Sequence, residues 1–358
     1  MALQDLRISV KQRKSYTKCR ICFENDYVEF VIVSKLVLNF HSISVEMNPT
    51  GAINNGIDFD VCVKLWSNFK DTTVNMGGVE ESVVKLLARR GLSTDCQIVS
   101  LLRAVTCLDL TSLSGDDTKE SVYQLCTRAL NPINKDLLIN LGMGTEKLTV
   151  GSVCVYPSRV AECAQALASL GHKLPIAAVS GCFPSGQGHM SVKCEEIKSS
   201  IAEGATEIDA VICRNSVLHG EWEELYAEIC KMKKACGILQ ILAFLGADFI
   251  KTSTGKETVN ATLPVGTVMA RAIHDYFDET GCQIGFKPAG GIRTAKDVYS
   301  WQALMEYELN DEWLTSSLFR IGASGLLDDI EENLFRLATK TCVKNPLVSY
   351  VHCPEIYG

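Results

Sequence analysis

"GADFIKTSTGK" (residues 246–256) decides how this chain is read. An apolar strand ends in a lysine and runs at once into Thr-Ser-Thr-Gly. A lysine closing a strand is ordinarily a rim residue that keeps its ammonium in water. The stretch gains chemical meaning only from what surrounds it.

On both sides of it, short apolar segments alternate with amphipathic ones. Strands are expected at "VTCLDLT" (105–111), "SVCVYP" (152–157), "PIAAVSG" (175–181), "EIDAVIC" (207–213), "DFIKTS" (248–253), "QIGFKPAGG" (283–291) and "FRIGAS" (319–324). Helices lie between them, as at "SRVAECAQALASLG" (158–171) and "GEWEELYAEICKMKKAC" (220–236). Strands apolar throughout, each followed by a helix, indicate a parallel sheet covered on its outer face. A (β/α)₈ barrel and a doubly wound sheet both satisfy this alternation. Polar groups decide between them. Asp109, Thr111, Cys154, Asp209, Lys251, Lys287 and Ser324 each fall at or near the end of a strand. Contributions from many strand ends describe the C-terminal face of a TIM barrel. A doubly wound fold would gather them at one switch point beside a glycine fingerprint. No G-x-G-x-x-G follows a strand, and no Walker-type loop is present.

The expected fold is therefore a TIM barrel over residues 57–340. Residues 1–56 form an N-terminal extension of unassigned role and 341–358 a C-terminal tail. Only seven strands are counted where eight are needed. Between the helix ending near Cys236 and the strand starting near Asp248 stands "GILQILAFLGA" (237–247), too short for a strand plus a covering helix. Either it is an abbreviated eighth strand or one β/α unit is missing.

The chain has 358 residues, 47% hydrophobic and 22% charged, enough for a sizeable core. A net charge of −7 gives no basic surface for nucleic acid, so a phosphate ligand would need a local pocket. The sixteen cysteines are scattered, many inside apolar runs, as free thiols in a reducing cytosol would be. Cys19 and Cys22 form a lone C-x-x-C without two further ligands at matching spacing, so no metal is expected. The apolar stretch 27–45 contains Glu29, Lys35 and His41 and reads as two strands, not a membrane span. No signal peptide is recognised, and a cytoplasmic location is expected.

A lysine nucleophile must be neutral to attack a carbonyl, whereas a free lysine titrates near about 10.4. Partial burial and a second cation both favour the neutral amine. Lys251 and Lys287 sit on consecutive strands. Neighbouring parallel strands lie about 4.8 Å apart, so the two lysines come within coupling range if they share a level. Asp209 ends another strand, where it would either relay protons with Lys287 and a water or form a plain salt bridge. Gly290 and Gly291 follow one late strand, and Ser324 and Gly325 follow the last at the start of a helix. Gly255 and Lys256 add another glycine and a cation. Backbone N–H groups and a helix N-terminus gathered there suit a phosphate.

"DFIKTSTGK", "GFKPAGGIRT", "EIDAVI", "VCVYP" and "FRIGAS", in this order, resemble deoxyribose-phosphate aldolase of the eukaryotic type over residues 58–335. The resemblance implies a TIM barrel and the reversible Schiff-base cleavage of 2-deoxy-D-ribose 5-phosphate to D-glyceraldehyde 3-phosphate and acetaldehyde. It implies no cofactor and no metal, because the lysine iminium is the electron sink. Carried over by motif, Lys251 forms the Schiff base, Lys287 depresses its pKa and Asp209 shuttles protons through water. Asp109 and Thr111 face the sugar. Gly255, Lys256, Gly290, Gly291, Ser324 and Gly325 surround the phosphate, and Cys154 is a small thiol near the acetaldehyde pocket. The chain departs from the pattern in three places. Most of a strand-helix unit carrying a further lysine is absent, Gly325 stands where a hydroxyl residue is common, and residues 1–56 have no counterpart. The partners expected are a small-molecule sugar phosphate and, at most, copies of the chain in a homo-oligomer. Nucleic acid and membrane are not among them. The rival readings are an impaired variant of the enzyme, a sugar-phosphate-binding protein on the same scaffold, and another lysine aldolase such as a transaldolase.

Overall fold

The computed structural model describes residues 74–340 other than 89–90, 145–146, 238–239 and 242–247. The extension 1–56, Cys19 and Cys22, the strands expected at 27–45, and the tail with Tyr357 lie outside the described residues.

Two helices lead in, α1 (Met76–Leu87) and α2 (Thr94–Thr106). Each starts on a side-chain cap: Asn75 accepts from the Gly78 N–H and Ser93 from that of Cys96. Strand β1 (Leu108–Thr111) follows, then α3 (Lys119–Leu130), α4 (Lys135–Asn140) and β2 (Ser152–Val155). Next come α5 (Val160–Ser169), β3 (Ile176–Ser180), α6 (Met190–Ala202) and β4 (Glu207–Ala210). Helices α7 (Arg214–His219) and α8 (Trp222–Cys236) precede β5 (Gln240–Ile241) and β6 (Phe249–Lys251). The chain continues through α9 (Leu263–Thr280), β7 (Gly285–Lys287), α10 (Ala295–Leu309), β8 (Ile321–Ala323) and α11 (Leu326–Lys340).

All seven expected strands form, shorter than their apolar runs. The first begins at Leu108 because Val105 belongs to the last turn of α2. Ala104 and Val105 in that turn are buried as fully as the strand, so the apolar run does not mark where helix becomes strand. Every pairing is parallel, in the order β5-β4-β3-β2-β1-β8, with β6 paired to β7. Parallel bridges Phe286↔Phe319 and Ala289↔Gly322 join β7 to β8 and carry the sheet round as a barrel.

The eighth position is filled by the abbreviated strand. Gln240 and Ile241 pair with Glu207 and Ile208 of β4, and among the described residues β6 has only β7 as a strand partner. Six residues, 242–247, separate β5 from the next described residue, against roughly eleven for an ordinary helix. Of the two readings of 237–247, an abbreviated strand and a missing β/α unit, this pairing supports the abbreviated strand.

The main core lies between the barrel's outer face and the helices. Helix α10 turns Val298, Trp301, Leu304 and Met305 inward, and the Trp301 ring meets Phe286 of β7 at 5.9 Å. Gly266 on α9 makes that packing possible, since a Cβ there would stand 2.4 Å from Trp301. Each such side chain contributes about 1.5–3 kcal/mol by leaving water. Inside the barrel a second, smaller apolar cluster joins Cys154, Ala177, Val179 and Phe249. Ten of the described cysteines are free thiols; Cys96 is disulfide-bonded, which the reading of scattered free thiols did not foresee. No described helix is long and apolar enough to cross a membrane.

Candidate active site

Strand periodicity sends Phe249 and Lys251 to the same side of β6. In the β6–β7 ladder Lys251 pairs with Lys287, so the two lysines stand at one level, the condition on which their coupling depended. Both side chains point into the barrel and are buried, Lys251 6% and Lys287 1% exposed. Asp209 reaches them from β4. Its Oδ2 lies 2.5 Å from Lys251 Nζ and 3.2 Å from Lys287 Nζ, so two ammonium groups share one carboxylate oxygen. Lys287 also approaches Asp109 Oδ2 at 2.6 Å.

Burial alone would raise the pKa of Asp209 and Asp109, but adjacent cations outweigh it. Lys251 and Lys287 hold Asp209 below the usual carboxylate range, and Lys287 with Arg320 holds Asp109 well below it. Burial pulls Lys287 down, yet the charges of Asp109 and Asp209 override this and push it up, so Lys287 is a persistent cation. Cys154 borders the same space, and burial pushes its thiol up to about 11. It is a neutral thiol at neutral pH.

Above this cluster opens a cavity of about 500 Å³. Thr111, Cys154, Lys251, Gly255, Lys256 and Lys287 line one part of it, and Gly290, Gly291, Arg293, Ser324 and Gly325 another. Nine of the eleven expected site residues, with Cys154, thus share one space. Two differ. Asp109 does not border the cavity: its carboxylate is wholly buried between Lys287 and Arg320, so it is placed to orient a lysine and not to face a sugar. Asp209 also lies beneath the floor, which Lys251 and Lys287 form.

The rim is backbone-rich. Gly290 has φ +84°, and a Cβ on it would fall 2.7 Å from the Gly255 Cα, so the two loops meet backbone to backbone. Side chains fix that contact: Ser253 Oγ donates to the Ala289 carbonyl at 2.8 Å, and Thr252 Oγ1 accepts from the Ala289 N–H at 3.0 Å. Ser324 and Gly325 immediately precede α11, whose N-terminus therefore abuts the cavity. Lys256 stands at the edge, its ammonium donating to the Leu113 carbonyl at 3.1 Å. The arrangement suits an anion at the rim and a carbonyl over Lys251. Among the described residues no group of three or more His, Cys, Asp or Glu side chains is placed to hold a metal ion.

Sequence reasoning passed over Arg320 and Glu207. Both are buried, and Arg320 binds Asp109 Oδ1 at 2.6 Å and Glu207 Oε1 at 2.9 Å. The signal was present: each is a charge inside an apolar strand motif, and Glu207 lies two residues before Asp209, on the same face of β4.

Comparison with known proteins agrees with this geometry. The family described as DeoC/LacD family aldolase matches residues 103–245 and 237–302, two segments that overlap around β5. The chain is 48% identical to deoxyribose-phosphate aldolase of Mus musculus, over 74% of this chain and 90% of the mouse protein. It is 46% identical to that of Homo sapiens over 309 residues, covering 80% of this chain and 96% of the human protein. Among solved structures, that of a putative deoxyribose-phosphate aldolase from Toxoplasma gondii ME49 superposes with a TM-score of 0.57 at 21% identity, covering 67% of this chain and 95% of that one.

Proposed function

The chain belongs to the DeoC/LacD family of aldolases, and from that premise we propose that it is a deoxyribose-phosphate aldolase, a lyase that reversibly cleaves 2-deoxy-D-ribose 5-phosphate to D-glyceraldehyde 3-phosphate and acetaldehyde. The observation that carries this reading is the pair of buried lysines on one carboxylate oxygen beneath a cavity rimmed by glycines.

Lys251 is the nucleophile. Its amine adds to C1 of the open-chain sugar, and loss of water leaves a protonated imine. The proton of the C3 hydroxyl departs, C3 becomes a carbonyl, and the C2–C3 electron pair flows through C2 and C1 to the imine nitrogen. D-Glyceraldehyde 3-phosphate leaves, C2 of the enamine takes a proton, and hydrolysis frees acetaldehyde and Lys251. The persistent charge of Lys287 opposes a second positive charge on Lys251. Asp209 holds both lysines. Kept below the ordinary carboxylate range, it stays ionised between proton transfers and carries a proton only in passing through water. The backbone N–H groups around Gly290, Gly291, Ser324 and Gly325, with Lys256, receive the 5-phosphate. Thr111 borders the sugar, while Asp109 acts from below through Lys287. A cytoplasmic location is supported by the ten free thiols among the described cysteines, against which stands the disulfide at Cys96.

The test is product formation. Purified protein given deoxyribose 5-phosphate is expected to release acetaldehyde and glyceraldehyde 3-phosphate in equal amounts, and Lys251→Ala to release neither. Product from Lys251→Ala at the wild-type rate would overturn the assignment. A second reading, a scaffold that binds the sugar phosphate without turning it over, draws on the two-residue β5. It predicts saturable binding by a cooperatively melting protein and no product.

A further inference from the structure

The barrel interior is built in two levels. The upper holds Asp209, Lys251 and Lys287. Two residues earlier on each of those strands stand Glu207, Phe249 and Gly285, which make the lower level. Arg320, just before β8, reaches into that lower level. Its Nη2 donates to Glu207 Oε1 at 2.9 Å and its Nη1 to Asp109 Oδ1 at 2.6 Å, with a longer contact to Glu207 Oε2 at 3.4 Å. Its Nε donates to the Ser316 carbonyl. Its guanidinium carbon lies 5.9 Å from the centre of the Phe249 ring. Gly285 leaves the space for that ring, since a Cβ there would come within 2.5 Å of it. All three guanidinium nitrogens are engaged, so the group has one orientation.

We infer that Arg320, held by Glu207, is a positioning residue for the aldol cleavage: it fixes the rotation of the Asp109 carboxylate and so divides Lys287 between Asp109 and Asp209. Six charges alternate along the chain Lys251, Asp209, Lys287, Asp109, Arg320, Glu207, and each neighbouring pair is in contact. Asp109 Oδ1 belongs to Arg320 and Oδ2 to Lys287. With Oδ1 released, Asp109 would turn both oxygens to Lys287 and draw it from Asp209. Asp209 would then belong to Lys251 alone and hold it as the unreactive ammonium. Neither Arg320 nor Glu207 borders the cavity, so substrate affinity is not expected to follow. A lysine cannot replace the planar fork that grips two carboxylates at once. Besides the alternating chain, the neutral thiol of Cys154 on β2 is the titratable group facing the lysines.

This inference rests on the aldolase reading, and two variants test it: Arg320→Lys, and Arg320→Met combined with Glu207→Gln, which removes both charges together. Each is examined for thermal melting, for kcat and KM with deoxyribose 5-phosphate, and for the pH dependence of kcat. The expected result is cooperative melting, KM within about twofold, kcat at neutral pH lower by about tenfold to a hundredfold, and recovery of kcat at higher pH. Folded variants with the wild-type kcat and pH profile would overturn it. Loss of cooperative melting in both would also overturn it, by making the pair a structural one. Wild-type protein is assayed alongside. If it neither turns over nor forms an adduct on Lys251, the aldolase reading fails and takes the inference with it; if wild type is active and the variants match it, only the inference fails.

Discussion

Replacing Lys287 by methionine removes the charge and keeps most of the volume. Lys251 Nζ and Lys287 Nζ lie 2.5 Å and 3.2 Å from the same oxygen of Asp209, so they are at most about 5.7 Å apart. At an effective dielectric constant of about 20, two unit charges at that distance repel by about 3 kcal/mol. Without that repulsion Asp209 holds the Lys251 proton more firmly. The pH at which Schiff-base formation is half-maximal is expected to rise. Stability also changes. Removing one partner of a buried pair costs about 3–5 kcal/mol, and the low end applies because Arg320 still serves Asp109 and Lys251 still serves Asp209. For a domain of this size that lowers Tm by roughly 6–12 °C. The assay is borohydride trapping of an aldehyde across a pH series, beside a thermal melt. A folded Lys287→Met protein with the wild-type pH profile would refute the reasoning, because Lys287 would then exert no pressure on Lys251.

Three other outcomes follow from the same structure. Lys256→Ala is expected to raise KM for the 5-phosphate substrate about tenfold with kcat little changed, and to leave turnover of unphosphorylated deoxyribose as it was, which steady-state kinetics on both sugars would show. Asp109 and Asp209 are held below their ordinary value of 3.8, so their contribution to stability is complete above that pH and is lost as pH falls through the lower folded values; Tm measured from pH 6 to 2 should drop below about pH 4, and Asp209→Asn should flatten the drop. Gly285→Ala forces a Cβ to within 2.5 Å of the Phe249 ring and is expected to cost about 1–3 kcal/mol, read as the denaturant midpoint, with kcat falling more than KM changes.

The parallel barrel was legible because each strand is apolar throughout and hands over to an amphipathic helix. Register was not: "DFIKTS" and "GFKPAGG" put a lysine on each of two consecutive strands, and only the ladder sets Lys251 opposite Lys287. Gln240 and Ile241 could not be told from the apolar run around them, since two residues carry no periodicity; only their pairing with Glu207 and Ile208 makes them a strand. The place of Asp109 was misjudged for a different reason. A strand-end carboxylate reads as facing the ligand, and what turns it away is Arg320, more than two hundred residues later in the chain. Glu207 and Arg320 each break a local rule by burying a charge, and each is intelligible only beside the other. Sequence spacing locates side chains on one strand; the partner across the ring comes from closure of the sheet.

The central claim is that Lys251 forms the imine. Wild-type protein incubated with deoxyribose 5-phosphate and borohydride, then digested and mapped by mass spectrometry, should carry one reduced adduct, and it should sit on Lys251. An adduct on Lys287 or Lys256 instead, or none from cooperatively folded protein that consumes the substrate, would contradict it.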